Sequence, residues 1–236
     1  MNIAIILAGG TGTRLGGDVP KQYLEVNDKP ILAFSLETFQ AHPGIDRIVI
    51  VANDEWQDYI KDVLKRYGIE KFAGFAPAGQ SRQHSVLSGM ELAKTLEGAD
   101  AEALVLVQDA ARPNVSPAMI DEALRLDGYD AALPVIPIPD TTYYSEDGRE
   151  ITSLLDRDKL YAGQTPETFV LEKFYAVHER MSDAELCAVR GACQLAYSKG
   201  LTVRLYAGEP ANYKITTMVD LEKFKSEKQD ASRGNV

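Results

Sequence analysis

The sequence predicts an α/β fold with a doubly wound, mostly parallel sheet in three layers. Short apolar runs rich in β-branched residues alternate with amphipathic segments of helical length. The first run, Asn2–Leu7, is followed at once by Gly9-Gly10, and glycine or charged residues also follow later runs. This alternation is typical of buried parallel strands joined by crossover helices.

The first half of the chain supplies the regular part of this pattern. Strands are predicted at 2–7 and 47–54, and a strand that runs into a loop is predicted within each of 71–79 and 103–113. Helices are predicted at 30–42, 54–67, 81–96 and 116–126. Pro30 stands in the first turn of the first helix, where its missing N–H costs no hydrogen bond. Gly68 and Gly98 follow the second and third helices, as glycines at helix C-termini do.

The pattern changes after a strand predicted at 131–138. Residues 140–155 have β-branched and aromatic residues on both sides of Asp147-Gly148, a dipeptide typical of hairpin turns. We interpret this segment as an inserted antiparallel arm that folds either on its own domain or onto a neighbouring subunit. Helices at 171–180 and 183–199, a strand at 201–208 and a last helix that Thr217 caps complete a single domain over 1–228, and 229–236 is expected to be a disordered tail.

Composition narrows the function classes. Of the 236 residues, 45% are hydrophobic and 25% are charged, which is ordinary for a globular domain. The net charge of −10 argues against nucleic acid as a partner, because a basic surface is needed to neutralise its backbone. Neither a membrane span nor a signal peptide is recognised, so we expect a cytoplasmic protein without a membrane partner.

The loop after the first strand, ILAGGTGTRLGGDVPKQYL (6–24), contains five glycines. Glycines at the carboxyl end of a parallel strand let backbone N–H groups approach phosphate oxygens. A P-loop would require Lys where Asp18 stands, and a dinucleotide fingerprint would require Gly where Leu15 stands. Two alternatives remain: a nucleotide loop with Arg14 and Lys21 as cationic clamps, and a surface turn with two solvated cations.

Further polar residues follow other predicted strands. Gly79, Arg82 and Ser85 follow the strand near residue 75, and Asp109 and Arg112 follow the next one. We expect all of them at one edge of the sheet. Asp109 can bind a metal or a ribose hydroxyl, or it can structure its loop. No nucleophile–base pair is apparent, and the residues present suit phosphoryl-type transfer, which needs positioning, cations and Mg²⁺.

Several motifs together resemble the cytidylyltransferase family that acts on methylerythritol phosphate or ribitol 5-phosphate. They are LAGGTGTRLGG…PKQYL, QDAARP, DTTYY, LDRDKLYAGQTPETF and NYKITT, and the resemblance covers about residues 2 to 225. It implies a Rossmann-like fold of the nucleotide-diphospho-sugar transferase type and a homodimer joined by the 140–155 arm. It also implies Mg²⁺-dependent cytidylyl transfer from CTP to a polyol phosphate, with release of pyrophosphate.

The segment SDAELCAVRGAC…GEPANYKITTMVDL is closer to the ribitol-phosphate branch. D-ribitol 5-phosphate is therefore the expected acceptor. Two alternatives stay open: methylerythritol phosphate as the acceptor, and a nucleotide-binding module without catalysis.

The resemblance also implies roles for individual residues. Arg14 and Lys21 match residues that stabilise the pentavalent transition state. The expected nucleotide-binding residues are Leu7, Ala8, Gly9, Gly10, Gly12, Gly79, Gln80, Arg82, Ser85, Asp109, Ala110 and Arg112, with Asp109 also a metal ligand. The expected acceptor-binding residues are Thr141, Arg157, Thr165 and Lys214, the first two from a neighbouring subunit.

Two positions depart from the family pattern. Glu167 stands where most members have Gln, and Arg190-Gly191 stands where Thr-Asp is usual. The second departure introduces a basic residue near the expected acceptor pocket. It therefore bears on the identity of the acceptor more than on the use of CTP.

Overall fold

The computed structural model describes residues 1–10 and 19–233. The strands in these ranges are β1 (Asn2–Leu7), β2 (Glu25–Val26), β3 (Lys29–Pro30), β4 (Arg47–Ala52), β5 (Phe72–Pro77), β6 (Leu104–Asp109), β7 (Ala131–Pro137), β8 (Tyr143–Tyr144), β9 (Ser153–Leu154), β10 (Tyr161–Gly163), β11 (Glu167–Val170) and β12 (Val203–Ala207). The α-helices are α1 (Ile31–Ala41), α2 (Asp54–Arg66), α3 (Arg82–Lys94), α4 (Pro117–Ala123), α5 (Leu171–His178), α6 (Asp183–Ala188), α7 (Ala192–Ser198) and α8 (Met218–Arg233).

Eight of the described strands form one sheet, ordered β10-β7-β11-β6-β1-β4-β5, with β12 paired to β7. The β1–β4, β1–β6, β4–β5 and β7–β12 pairs are parallel. Strand β11 lies antiparallel between β6 and β7, and β10 is antiparallel to β7. The predicted mostly parallel α/β sheet is confirmed.

Helices cover both faces of this sheet. Successive side chains of a strand point to opposite faces. Ala4 and Ile6 accordingly pack with α1, α2 and α4, whereas Ile3 and Ile5 pack with α3, α5 and α7. Both sets of β1 side chains are fully buried, which confirms the three predicted layers. The near-continuous apolar sequence of β1 is the consequence of burial on two sides.

The predicted hairpin arm is present. Strands β8 and β9 pair antiparallel with Tyr143 opposite Leu154. Gly148 adopts a positive φ of 74° at the tip, and the Asp147 carboxylate accepts the N–H of Arg149. The arm has its own two-stranded sheet, separate from the central one, and exposes several large apolar side chains.

Two features of the C-terminal part differ from the prediction. The helix expected over 183–199 is two helices, α6 and α7, because Val189 and Gly191 adopt extended backbone conformations between them. A β-branched residue and a glycine both have low helix propensity, so this is where the helix breaks. At the other end, α8 continues to Arg233, beyond the predicted limit at 228, and 234–236 lies outside the described residues.

Within the two described ranges, no helix has the length and apolar character needed to cross a membrane.

Candidate active site

The carboxyl end of β1 opens onto a cavity of about 440 Å³, called here the first cavity. Loops that follow β1, β5 and β6 line it, together with Lys21 and Lys214. The structure brings together these residues predicted from the sequence: Leu7, Gly9, Gly10, Lys21, Gly79, Gln80, Arg82, Ser85, Asp109, Ala110 and Lys214. Gln22, Ser81 and Ala111 also line it and were not predicted.

Two glycines allow the loops around the first cavity to lie side by side. A Cβ on Gly9 would stand 2.2 Å from the Cβ of Ala78, and a Cβ on Gly79 would stand 2.3 Å from that of His84. A side chain at position 9 would therefore push the β1 and β5 loops apart, and one at position 79 would push the β5 loop away from the start of α3. The backbone N–H of Gly79 donates to Ser85 Oγ at 3.1 Å, which ties the second loop to the start of α3.

The loop after β1 is held from the side that faces the core. Gln22 Nε2 donates to the carbonyls of Ala8 (2.5 Å) and Gly10 (2.8 Å), and the Tyr23 hydroxyl donates to Ala8 at 2.9 Å. The Tyr23 ring stacks on Trp56 with centroids 4.4 Å apart. Ala8 therefore anchors the loop and does not line the cavity. Both anchoring residues, Gln22 and Tyr23, belong to the PKQYL motif of the sequence, in which only Lys21 was predicted to have a role.

Asp109, the last residue of β6, lies at the centre of a cationic cluster. It is only 8% exposed. Lys214 Nζ lies 2.8 Å and Arg112 Nε 3.8 Å from its Oδ2, while Arg82 Nε lies 3.4 Å from its Oδ1. Burial by itself would raise the pKa of Asp109, but Arg82, Lys214 and Arg112 outweigh it and hold that pKa well below the usual range. Asp109 is therefore an ionised carboxylate at neutral pH.

A second cavity, of about 320 Å³, adjoins the first. The two share Arg82, Asp109 and Lys214 in their linings. The predicted residues Arg112 and Thr165 belong to the second cavity. Its remaining lining residues are Leu133, Gly163, Gln164, Glu167, Arg190, Gly191, Cys193 and Gln194. Thr165 Oγ1 accepts the backbone N–H of Asp109 at 3.2 Å. This hydrogen bond connects the end of β6, which lines both cavities, to the segment before β11, which lines the second.

Glu167, one of the two departures from the family pattern, is buried in the wall of the second cavity. It is 6% exposed, accepts a hydrogen bond from Arg82 Nη2 at 3.1 Å, and accepts the backbone N–H of Cys193 at 2.7 Å. Burial by itself would lower the pKa of Arg82, but Glu167 and Asp109 outweigh this effect and raise that pKa above the usual range. Arg82 therefore stays charged as a bridge between the two carboxylates.

Two of the predicted acceptor-binding residues lie apart from this assembly. Thr141 and Arg157 are exposed at the arm and the turn after it, and they line neither cavity. Arg157 Nη1 instead donates to the carbonyl of Pro139 at 3.4 Å. Gly12 and Arg14 lie outside the described residues.

The charge balance of the two cavities favours an anionic ligand. The cationic lining residues in the described part of the chain are Lys21, Arg82, Arg112, Arg190 and Lys214, against two carboxylates, Asp109 and Glu167. This local excess of cations opposes the net charge of −10 of the whole chain. In residues 1–10 and 19–233, no group of three or more His, Cys, Asp and Glu residues is arranged to hold a metal ion. Asp109 is the one carboxylate that lines the first cavity in these two ranges.

Comparison with known proteins identifies relatives over nearly the full length of the chain. Residues 2–226 match a family model described as 2-C-methyl-D-erythritol 4-phosphate cytidylyltransferase (IspD). The ribitol-5-phosphate cytidylyltransferase of Streptococcus pneumoniae serotype 2 is 35% identical over 230 residues, which cover 96% of this chain and 98% of that protein. The resemblance to the cytidylyltransferase family is confirmed.

Solved structures show the same fold. The 4-diphosphocytidyl-2C-methyl-D-erythritol synthase of Anaerococcus prevotii superposes with a TM-score of 0.81 at 26% identity, over 97% of this chain and 96% of that one. The Francisella tularensis 2-C-methyl-D-erythritol 4-phosphate cytidylyltransferase gives 0.76 at 25% identity, over 94% and 97%. Both comparisons confirm the predicted fold type.

Replacing Glu167 with Ala should lower the free energy of unfolding by about 3 kcal/mol, because Arg82 then keeps a mostly buried charge with one carboxylate fewer. The backbone N–H of Cys193 also loses its acceptor. Urea denaturation measures the change. The control is Glu172→Ala, which removes a half-exposed partner of Lys94 and should cost less than about 1 kcal/mol. Equal losses in the two variants would show that the Glu167 pair does not stabilise the fold.

Proposed function

This chain belongs to the 2-C-methyl-D-erythritol 4-phosphate cytidylyltransferase family, and we propose that its reaction joins CTP to D-ribitol 5-phosphate, giving CDP-ribitol and pyrophosphate. The observation that carries this proposal is the cationic cavity at the carboxyl end of β1, where Lys21 and Lys214 stand beside glycine-rich backbone. The ribitol acceptor is supported by the relative that matches nearly the whole chain. Methylerythritol phosphate is the alternative acceptor.

The chemistry requires a phosphate oxygen of the acceptor to attack the α-phosphorus of CTP. A new P–O bond forms, the bond from the α-phosphorus to the bridging oxygen breaks, and pyrophosphate leaves with the electron pair. Negative charge grows on the α-phosphate oxygens during this exchange, so preorganised cations and N–H groups lower the barrier. Lys21 and Lys214 supply such cations in the first cavity, and Gly9 and Gly10 leave their backbone open to phosphate oxygens. Arg14 is assigned the same role from the sequence alone.

We assign Mg²⁺ to Asp109. Magnesium is usually held by one or two carboxylates together with substrate phosphates, and it keeps several waters. Asp109 fits this donor set because it is ionised and lines the first cavity. When bound there, the ion would neutralise phosphate charge. Lys214 Nζ lies 2.8 Å from Asp109 Oδ2. With the ion bound, its N–H groups would donate to the phosphate groups as well as to this carboxylate.

We also propose a homodimer joined through the 140–155 arm. The arm exposes Tyr143 (58%), Ile151 (61%) and Leu154 (83%), which is a large apolar area for a small hairpin. Thr141 and Arg157 line neither cavity of their own chain. A partner arm that covers these apolar side chains could bring its Thr141 and Arg157 to the acceptor site. The expected location is the cytoplasm, where CTP is available.

The acceptor is tested by comparing kcat/KM for ribitol 5-phosphate and methylerythritol 4-phosphate, with pyrophosphate release as the readout. We expect a preference for ribitol 5-phosphate, since a site built to bind hydroxyls discriminates against analogues that lack them. A preference for methylerythritol 4-phosphate would reassign the acceptor and leave cytidylyl transfer standing. CTP binding without turnover of any polyol phosphate would instead indicate a nucleotide-binding module.

Lys21→Ala should lower kcat by about 100-fold or more, because Lys21 is assigned to charge that grows in the transition state. The Kd for CTP, measured by calorimetry, should change much less. Lys61→Ala is the matched control, since Lys61 is exposed on α2 and pairs only with Asp58 in the described residues. A variant with normal kcat and a raised KM would place Lys21 in ground-state binding instead.

Leu154→Asp should convert the dimer to a monomer, because it buries a charge in the proposed apolar contact. Light scattering measures the molar mass of the variant in solution. The value of kcat/KM for the acceptor should decrease when the dimer is lost. Val219→Asp is the control: Val219 is 78% exposed on α8, far along the chain from the arm. Full activity in a monomeric variant would exclude a shared acceptor site.

A further inference from the structure

We propose that His84 is a positioning residue that makes the first cavity select CTP over UTP, because it holds the side-chain amide of Gln80 in one orientation. The inference rests on the proposed use of CTP and deepens it. The observations that carry it are a continuous series of hydrogen bonds from Leu186 through Ser81 and His84 to Gln80, and the position of Gln80 in the cavity lining.

Gln80 lies at the uncharged end of the first cavity. Lys214 and Asp109 mark the end near β6, where the phosphates are expected to react. Gln80 and Ser81 belong to the loop after β5, the edge strand that β1 and β4 separate from β6. Both carry uncharged donors and acceptors, which suit the edge of a nucleobase better than a phosphate group. A nucleotide with its phosphates beside Lys214 therefore extends its base towards Gln80.

The first hydrogen bonds of the series determine the tautomer of His84. The Ser81 hydroxyl has a single hydrogen atom, and it donates this hydrogen to the carbonyl of Leu186 at 3.2 Å. Ser81 Oγ therefore accepts from His84 Nδ1, which lies 2.7 Å away. A neutral imidazole that carries its proton on Nδ1 has a lone pair on Nε2. His84 Nε2 is thus a hydrogen-bond acceptor.

This acceptor determines which end of the Gln80 amide is left for a ligand. Gln80 Nε2 lies 3.3 Å from His84 Nε2 and donates to it. The amide turned by 180° would place its oxygen against the lone pair of Nε2. The Gln80 oxygen is therefore the group offered to a base, and it accepts from the amino group at C4 of cytosine. Uracil has an oxygen at that position, so two acceptors would face each other.

The His84 ring is held in place by its surroundings. Only 14% of its side chain is exposed, and a Cβ on Gly79 would stand 2.3 Å from the His84 Cβ. Asp183 Oδ1 on α6 lies 3.3 Å from the same Nε2 and competes with Gln80 for it, because a charged ring would donate to this carboxylate. Asp183 is 83% exposed, so water weakens its attraction. The selection of CTP requires the neutral ring.

The test compares kcat/KM for CTP with kcat/KM for UTP in the full-length protein, with pyrophosphate release as the readout. His84→Ala should lower the ratio of the two values by about 10-fold, since the Gln80 amide can then turn and donate to the uracil oxygen. The KM for the acceptor should stay within about twofold. His42→Ala is the matched control, because His42 is buried at the end of α1 and lines neither cavity. Asp183→Ala should also leave the ratio unchanged.

A second substitution separates orientation of Gln80 from support of the loop. Gln80→Glu in the His84→Ala background should restore the preference for CTP, since a carboxylate offers an acceptor oxygen in either orientation. Ser81→Ala removes the group that determines the tautomer and should lower the ratio as well, which tests the series without changing the histidine. A structural role alone would lower kcat/KM for both nucleotides equally and would not be rescued.

Three results would overturn the inference: a wild type without preference for CTP, an unchanged ratio in both His84→Ala and Ser81→Ala, or equal losses for the two nucleotides. A ratio that falls in Asp183→Ala would also overturn it, because the ring would then act in its charged form. Turnover of no polyol phosphate would refute the proposed function alone. The ratio of the Kd values for CTP and UTP, measured by calorimetry in the same variants, would then decide the role of His84.

Discussion

The ionic network around Asp109 is the interaction on which both cavities depend. Lys214, Asp109, Arg82 and Glu167 form a continuous chain of contacts that ends at the backbone N–H of Cys193. It joins β6, α3, β11 and α7, which are far apart in the sequence. Charges this buried are stable only with their partners in place, because each would otherwise face the full cost of desolvation. The network therefore orders the walls of the site while leaving cationic groups available to a ligand.

Close backbone approach is the second constraint. Gly9 has no room for a Cβ beside Ala78, so the loops after β1 and β5 can pack together only with glycine at position 9, and Gly79 likewise has no room beside the start of α3. Gln22 and Tyr23 hold the first of these loops from below through the carbonyl of Ala8. A rigid, open stretch of backbone at the end of a parallel strand is what phosphate binding requires. The same geometry places Lys21 next to it.

The arm and the two cavities differ in how far their side chains find contacts within one chain. Most groups that line the cavities have partners in the same chain, whereas Tyr143, Ile151 and Leu154 of the arm remain largely exposed. Within a single chain this hairpin gains little stability from burial. Its exposed apolar side chains are the feature on which the proposed dimer rests.

The sequence by itself determined the fold class, the family and most of the first cavity. The period of its apolar residues specifies parallel strands, and glycines and charges after each strand can only gather at one edge of such a sheet. The family resemblance put Arg190 near the expected acceptor pocket, but the sequence did not show where Glu167 lies or that the two residues line one cavity. Only the tertiary structure brought them to the second cavity, because that depends on β11 inserting antiparallel beside β6 and on the break between α6 and α7. Contacts between residues far apart in the chain are decided by packing and charge pairing in three dimensions, and no local pattern encodes them.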